Sequence, residues 1–452
     1  MQTDIHSPVS EHDPSTSRPV LDGARSVRIL YPDLHGVARG KDIPVRHFDH
    51  VIESGLCFCA AVMGTDLRHT PVWGGEEGYP DLVARPDLAT MATLPWDPQV
   101  AVCLADLSPA EGAAPIADPR GAVRAAVESL RALGFDPIVG PELEFFLVRR
   151  DPEAPNGIAR LVDNLSMVYT VGQQADPDGL VRRMSEHLAE LGLDAFAVNH
   201  EFMNSQYEIN LRHSGALSAA DRAFLLKAAV KDMAAMNGLL ATFIGKPFND
   251  QGGSGTHLHV SLNRDGSNAL DAPAADDGLS PETHHFIAGV LTHAPALMAL
   301  LNPTINAYRR ILPDSLAPTH ANWGYDNRST FIRIPPERGA ATRIELRVGD
   351  GAANPYLAIA ATLAAGADGI RRELAPPPPV TGDAYHAAPE IAGDPLPGTL
   401  ETALDALEQD AVLTTALGAP IVDTFLTVKR FEVQRHREWV SDWDIAEYIH
   451  HL

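Results

Sequence analysis

Alternation of apolar and polar positions along this chain marks its strands. In "GPELEFFLV" (residues 140–148), Glu142 and Glu144 share one face of an extended segment, while Leu143 and Phe145 occupy the other. The same period of two runs through "SQYEINL", "THLHVSL" and "RIELRV". It aligns Gln206, Glu208 and Asn210, then His257, His259 and Ser261, then Arg343, Glu345 and Arg347, each set backed by apolar residues. Helical spacing takes over between these strands. Val123, Ala126, Leu130 and Leu133 form a stripe that stops at Gly134. Further helices are expected near 178–192, 219–240, 281–301 and 354–372, with strands at 205–212, 256–262, 328–334 and 342–348.

Before residue 107 the pattern is short strands broken by Gly and Pro. "VRILYPDLHGVARGKDIPV" reads as two strands around a turn and "VAVCLADL" as another, before the linker-like "SPAEGAAPIADPRG". The expected organisation is a flexible polar tail over 1–24, a strand-rich unit over 25–115 and an α+β unit over 116–452. The last is built on a large mixed or antiparallel sheet, and "APPPPVTG" introduces its C-terminal helices. No internal repeat is present.

Bulk composition adds modest constraints. The 452 residues carry a net charge of −24, which argues against a nucleic-acid surface and admits cationic ligands. The three cysteines, Cys57, Cys59 and Cys103, form no zinc-spaced set and suit a reducing compartment. Cys57 and Cys59 read as an apolar strand face. No apolar run approaches the ~18 residues that a membrane span needs. The first two dozen residues lack the cationic start and apolar core of a signal peptide, so the expected location is the cytoplasm.

The polar strand faces carry the chemistry. One sheet with a wet face is common, but these faces are rich in Glu, His and Arg and contain no Lys. Two acids on one buried face need a positive partner. Glu and His without Cys suit Mg²⁺ or Mn²⁺ more than zinc. Arginines suit carboxylate or phosphate, and the two together point to phosphoryl transfer. The glycines of "NDQGGSGTH" let backbone approach a ligand. With no P-loop and no Rossmann fingerprint, a nucleotide is held another way.

Taken in order, "GPELEFF", "NHEFMNSQYEINL", "GGSGTHLHVSL", "NPTINAYRR", "NRSTFIRIP" and "RIELRVGDGAANPYLAIAATLAAG" resemble the successive signatures of the glutamine synthetase family. "DLHGVARGK" resembles its N-terminal β-grasp domain. The resemblance implies an α+β fold: a β-grasp domain, then a catalytic domain whose antiparallel sheet forms a half-barrel. It implies ATP and two or three Mg²⁺ or Mn²⁺ ions per site. Glu144, Glu201 and Glu208 would hold one ion; Glu142, His257 and Glu345 would hold the second. His259, Ser261, Arg328, Arg333 and Arg343 would face ATP, with Arg328, Arg333 and Glu345 acting in catalysis. Gly253, Arg310 and Arg347 would hold glutamate. Family members form γ-glutamyl phosphate and let an amine displace the phosphate. They commonly assemble as dodecamers of two hexameric rings, each site completed by a neighbour, with no nucleic acid or membrane partner.

The departures from the family pattern matter as much. The flap glutamate that takes a proton from ammonium falls in "RRILPDSLAP" at Leu316, and the N-terminal ammonium carboxylate falls at Met63. Asp66, Glu76 and Glu77 are nearby acids that could take over. Gly252 stands for a usual asparagine and Ala340 for an ATP-site lysine, while Tyr385 lacks the sequence context of the family's adenylylated tyrosine. Loss of both ammonium groups beside a full ligand set resembles the family's γ-glutamyl-amine ligases, acting on polyamines such as putrescine or spermidine, or on ethanolamine. The alternatives are a true glutamine synthetase and a non-catalytic sensor or scaffold.

Overall fold

The computed structural model describes residues 21–76, 78–154, 157–161 and 168–452. Residues 1–20 of the expected tail, and Glu77, lie outside the described residues.

Five strands form the first sheet, in the spatial order Ala38–Pro44, Ser26–Pro32, Asp97–Pro109, Asp81–Leu94, Leu56–Cys59. Ser26–Pro32 and Ala38–Pro44 are antiparallel around the expected turn, and Ser26–Pro32 also pairs in parallel with Asp97–Pro109. Val27, Ile29 and Tyr31 alternate inward and are buried. Cys57 and Cys59 do not face this core. They are exposed on the edge strand, because its inward positions go to Leu56 and Phe58.

The second sheet has eleven strands among the described residues and curls into a half-barrel. Its main path runs Trp323–Tyr325, Ile332–Ile334, Ile344–Asp350, Gly255–Arg264, Asp136–Arg150, Gln206–Leu211, Ala195–His200. It is mixed: Trp323–Tyr325 and Ile332–Ile334 pair in parallel, and the rest of that path is antiparallel. The long strand Asp136–Arg150 is central, buried along Leu143, Phe145, Leu147 and Val148.

Helices cover the apolar face. Pro355–Arg371 is buried over nearly its whole length, so it reads as apolar all round. It touches the helix Pro281–Thr292 through paired glycines: a Cβ on Gly289 would lie 2.2 Å from the Ala365 carbonyl, and one on Gly369 2.0 Å from that of His285. The single helix expected over 281–301 is two, Pro281–Thr292 and Ala294–Leu301, bent by 73°. Pro295 opens the second, where a missing N–H costs nothing.

Two polar links tie the sheets together. Arg120, 1% exposed, donates to Asp221 at 2.9 Å, to Asp87 at 2.7 Å and to Asp106, acids from both units. Asn354 caps the Pro355–Arg371 helix by accepting from the Tyr356 and Leu357 amides, and its Nδ2 donates to the Asp33 carbonyl at 2.9 Å.

His293 sits at the helix bend between Asp410 (2.6 Å) and Asp368 (3.1 Å), and the ion pairs outweigh burial, raising its pKa. A raised folded-state value means the stabilisation is full below the unfolded value of about 6.5 and is lost as pH climbs through the folded one. His293→Gln should therefore cost about 2 kcal/mol at pH 6 and less at pH 9, read from urea unfolding of both proteins.

Candidate active site

Strand register assembles the polar face. Glu142 pairs with His257 on one side and Asn210 on the other. Glu144 pairs with Glu208, which in turn pairs with Asn199. His259 pairs with Glu345, and Glu345 with Arg333. Period-two alternation within each strand turns these positions to one face, so residues spread over about two hundred positions meet.

The side chains confirm that meeting. Glu142 takes Nδ1 of His257 at 3.2 Å on one oxygen and Nε2 of His259 at 3.0 Å on the other. His259 Nδ1 in turn accepts from Arg343 Nε at 3.2 Å, which fixes the Nε2-protonated tautomer. Burial works to raise the Glu142 carboxyl, but the two histidine hydrogen bonds outweigh it and hold it well below the usual carboxylate range. Glu144 is satisfied differently, by Gln206 Nε2 at 2.9 Å and the Gly255 amide at 2.8 Å. A histidine pair therefore answers one of the two acids, and neutral donors answer the other.

Glu345, 1% exposed, is gripped by Arg333 at 2.6 Å and by Arg347. Burial opposes its ionisation, yet Arg347 and the histidines hold it down at about 2. Glu201 and Glu208 go the other way. Burial, then the charge of Glu144, pushes Glu201 up to about 7. Burial, then Glu142 and Glu144, pushes Glu208 higher still. Asn199 and Asn210 steady these two acids at 2.6 and 3.0 Å. Crowded carboxylates held back from ionising are the donor set that a hard divalent cation fits, since its charge would reverse those shifts.

The grouping of ligand atoms differs from the expected one. Glu142, Glu208 and His257 come within 4.8 Å of one another, and so do Glu142, His259 and Glu345. His259 stands with Glu345 because the two are direct cross-strand partners, while His257 faces Glu142 and lies 3.9 Å from Glu345. Glu144 and Glu201 flank these groups.

The arginines line the other pole. Arg310 donates to the carbonyls of Val348 (2.6 Å) and Gly349 (2.8 Å) and lies 3.6 Å from Asp350, whose carboxyl burial raises to about 6. A Cβ on Gly253 would fall 2.3 Å from the Gly245 carbonyl and 2.6 Å from Arg310, so only glycine fits. Arg347 Nε donates to the Arg328 carbonyl at 3.1 Å. The Arg328 guanidinium is exposed, and Ser261 follows His259 along the same face. Asp326, which holds Arg333 at 3.0 Å, lies in the loop after Trp323–Tyr325, and Asp350 ends the strand Ile344–Asp350 on its apolar face, so neither shares the polar face that the alternation marks.

The acceptor pocket needs correction. Met63 is 1% exposed within the core of the first sheet, as part of the turn Ala60–Gly64. Asp66 is equally buried, closing its own turn through the Arg68 and Thr70 amides and pairing with Arg435. Both are committed within the fold. Leu316, by contrast, is 45% exposed in the left-handed region at φ +57°, and the Tyr385 hydroxyl donates to the next carbonyl, Ala317, at 3.1 Å.

Residues 116–448 match the family model described as "Glutamine synthetase, catalytic domain". The chain is 37% identical to the glutamine synthetase of Thermus thermophilus over 441 residues, 95% of this chain and 96% of that one. It is 34% identical to that of Thermotoga maritima over 436 residues, 95% and 97% of the two chains. Two solved structures, "GmaS/ADP complex-Conformation 1" and "Apo GmaS without ligand", superpose with TM-scores of 0.86 and 0.85 at 31% identity, covering 97% of this chain and 100% of theirs. The chain belongs to the glutamine synthetase family and is an ATP-dependent ligase of that type, a family that uses divalent metal ions. Within the family, its likeness to GmaS supports the γ-glutamyl-amine ligase branch.

Glu201 and Glu208 have to be ionised to hold a cation, so affinity for Mg²⁺ or Mn²⁺ should strengthen as pH rises through about 7, with protons released on binding. Calorimetry in buffers of different ionisation enthalpy measures this. Glu208→Gln should weaken binding roughly 10- to 100-fold.

Proposed function

We propose that this protein joins the γ-carboxyl of L-glutamate to an organic primary amine, a polyamine such as putrescine or spermidine, or ethanolamine. The reaction consumes ATP through γ-glutamyl phosphate. The observation that carries this reading is Leu316: an exposed apolar side chain stands where the family pattern sets a proton-accepting carboxylate. The presence of ADP in a GmaS structure supports nucleotide use.

In the first step, a γ-carboxylate oxygen of glutamate attacks the terminal phosphorus of ATP and ADP leaves. The amine nitrogen then attacks the γ-carbonyl carbon, phosphate leaves, and the nitrogen gives up a proton. Divalent ions held by Glu142, Glu144, Glu201, Glu208, His257 and Glu345 would neutralise the phosphate charge. His259, Ser261, Arg328, Arg333 and Arg343 face the nucleotide. Arg328 and Arg333 stabilise charge on the transferring phosphoryl, since guanidinium forks match its oxygens. Gly253, Arg310 and Arg347 hold the glutamate carboxylates, and the bare backbone of Gly253 permits close approach. At the mouth, Leu316 offers an apolar surface to the methylenes of an alkylamine.

The N-terminal unit, residues 25–115, is read as a β-grasp domain that completes the site of a neighbouring copy, and residues 116–452 as the catalytic domain. The proposed assembly is a dodecamer of two hexameric rings. Trp443, Ile445 and Ile449, all exposed near the C-terminus, support burial against another copy. Three free cysteines are consistent with a cytoplasmic location. A second reading, synthesis of glutamine from ammonium, is favoured by the relatives named glutamine synthetase.

Phosphate release from ATP, glutamate and Mg²⁺ with one nucleophile at a time decides between them. An organic amine should far exceed ammonium, with the γ-glutamyl amide seen by mass spectrometry. Ammonium as the best nucleophile would overturn the proposal. Glu345→Ala should lower turnover by roughly 10³-fold and leave the assembly intact, because it leaves Arg333 and Arg347 unpaired at the phosphoryl site. Leu316→Glu should raise the ratio of ammonium to amine turnover by roughly tenfold or more, the effect of restoring one general base.

A further inference from the structure

Lysine is scarce here: the chain has five, at positions 41, 227, 231, 246 and 429. Four of them, Lys227, Lys231, Lys246 and Lys429, line one cleft of about 1190 Å³. The cleft runs between the turn at His35–Val37, the strand Leu240–Thr242 and the helix Ala419–Arg437. Arg68 and Arg309 join them, and among the described residues lining the cleft Glu432 is the one acid. Lys41 lies next door, in a cavity of about 540 Å³ that shares Lys227 and Lys231. The metal-ligand candidates and the arginines of the active site are not among the lining residues.

A chain of net charge −24 that gathers its few lysines across one opening pays in mutual repulsion unless an anion sits there. Lys227 shows the deficit. Its ammonium is buried and donates to two carbonyls, Gly351 at 2.9 Å and Ala353 at 2.8 Å, with no carboxylate in its hydrogen bonds. Burial, and then the charge of Lys231, lowers it to about 7. His35 is driven to about 3 by burial and by Lys429. Lys429 pairs with Glu432 at 3.0 Å, while Asp350 and Asp33 act on Lys227 and Lys231 without outweighing their burial.

We propose that this cleft is an effector site for a multiply charged phosphate-bearing anion. Compact ammonium groups and guanidinium forks are the usual partners of phosphate oxygens, and the volume admits a ligand of nucleotide size. The cleft also shares backbone with the active site. Arg309 faces the cleft and the next residue, Arg310, faces the site. Lys246 and Asn306 exchange two hydrogen bonds, at 2.7 and 3.0 Å, bracing the same wall. Lys227 holds the carbonyl of Gly351, next to the Asp350 that lies against Arg310. An anion drawing on Arg309 and Lys227 therefore acts on the position of Arg310. That coupling rests on the reading of Arg310 as a glutamate-holding residue, whereas binding in the cleft does not.

The test uses the full-length assembly with Mg²⁺ and a saturating non-hydrolysable ATP analogue, titrated with tripolyphosphate in a calorimeter at constant ionic strength. One saturable site per chain is expected, and citrate, a polycarboxylate of comparable charge, should bind more weakly. Lys231→Glu should weaken tripolyphosphate roughly tenfold or more, and the milder Lys231→Gln should act in the same direction. Both variants should keep their size and their activity without the anion, and Arg343→Ala should keep the site. In the wild type the anion should change the KM for glutamate, and in Lys231→Glu it should not. Absence of a saturable site, wild-type binding by both variants, or dissociation of the assembly in both variants overturns the site. Equal binding of citrate overturns the phosphate assignment, and binding that leaves the glutamate KM unchanged overturns the effector role.

Discussion

Glu142 lies on the central strand of the half-barrel, with His257 directly across one strand boundary and Asn210 across the other. Everything around it follows from having to keep a carboxylate ionised in a poorly solvated place. The two histidines do this, and they are available only because the strands pair in that register. A slip of one residue would turn every acid, histidine and arginine of the face into the apolar core. Register here is therefore specified twice, by the burial of Leu143, Phe145 and Val260 and by the charges on the opposite side.

Charge is arranged around this row as two poles. On one side Glu201 and Glu208 lie beside Glu144, and burial, followed by the neighbouring carboxylate charges, opposes the ionisation of Glu201 and Glu208. On the other, Arg333 and Arg347 hold both oxygens of Glu345. A substrate that brings phosphate toward cations and a carboxylate toward arginines complements both poles. Leu316 stands apart from them, an apolar residue held in a left-handed conformation that costs a Leu roughly 1–2 kcal/mol. A strained, exposed leucine is a local conflict of the kind found at functional positions.

Rigidity comes from behind the sheet. The Arg120 cluster draws Asp87 and Asp106 of the first sheet and Asp221 of the helix Ala216–Met236 onto one buried guanidinium. Asn354 caps a core helix while gripping the backbone of the N-terminal unit. Removing a partner from such a cluster leaves a buried charge uncompensated, which is why these links hold more firmly than surface ion pairs. The basic cleft is bordered by the His35–Val37 turn, the strand Leu240–Thr242 and Arg309, one residue along the chain from Arg310.

Much of the site was legible from local pattern, because strand periodicity alone sets Glu142 with Glu144, His257 with His259, and Arg343 with Glu345 and Arg347 on shared faces. The glutamine synthetase family was legible as well, since its motifs are local and ordered along the chain. Sequence could not reveal pairing between strands, which is non-local. That His259 rather than His257 lies opposite Glu345, and that Asp326 and Asp350 brace arginines, was decided by register and by loop closure. Nor could it distinguish a residue facing a pocket from one turned inward. Met63 and Asp66 stand near the expected ammonium site along the chain, but Met63 is buried in the turn Ala60–Gly64 and Asp66 closes the next turn. Lysines scattered over about four hundred residues carry no pattern in one dimension. Only the folding of a hairpin turn, a sheet edge and a C-terminal helix against one another brings four of them around one cleft.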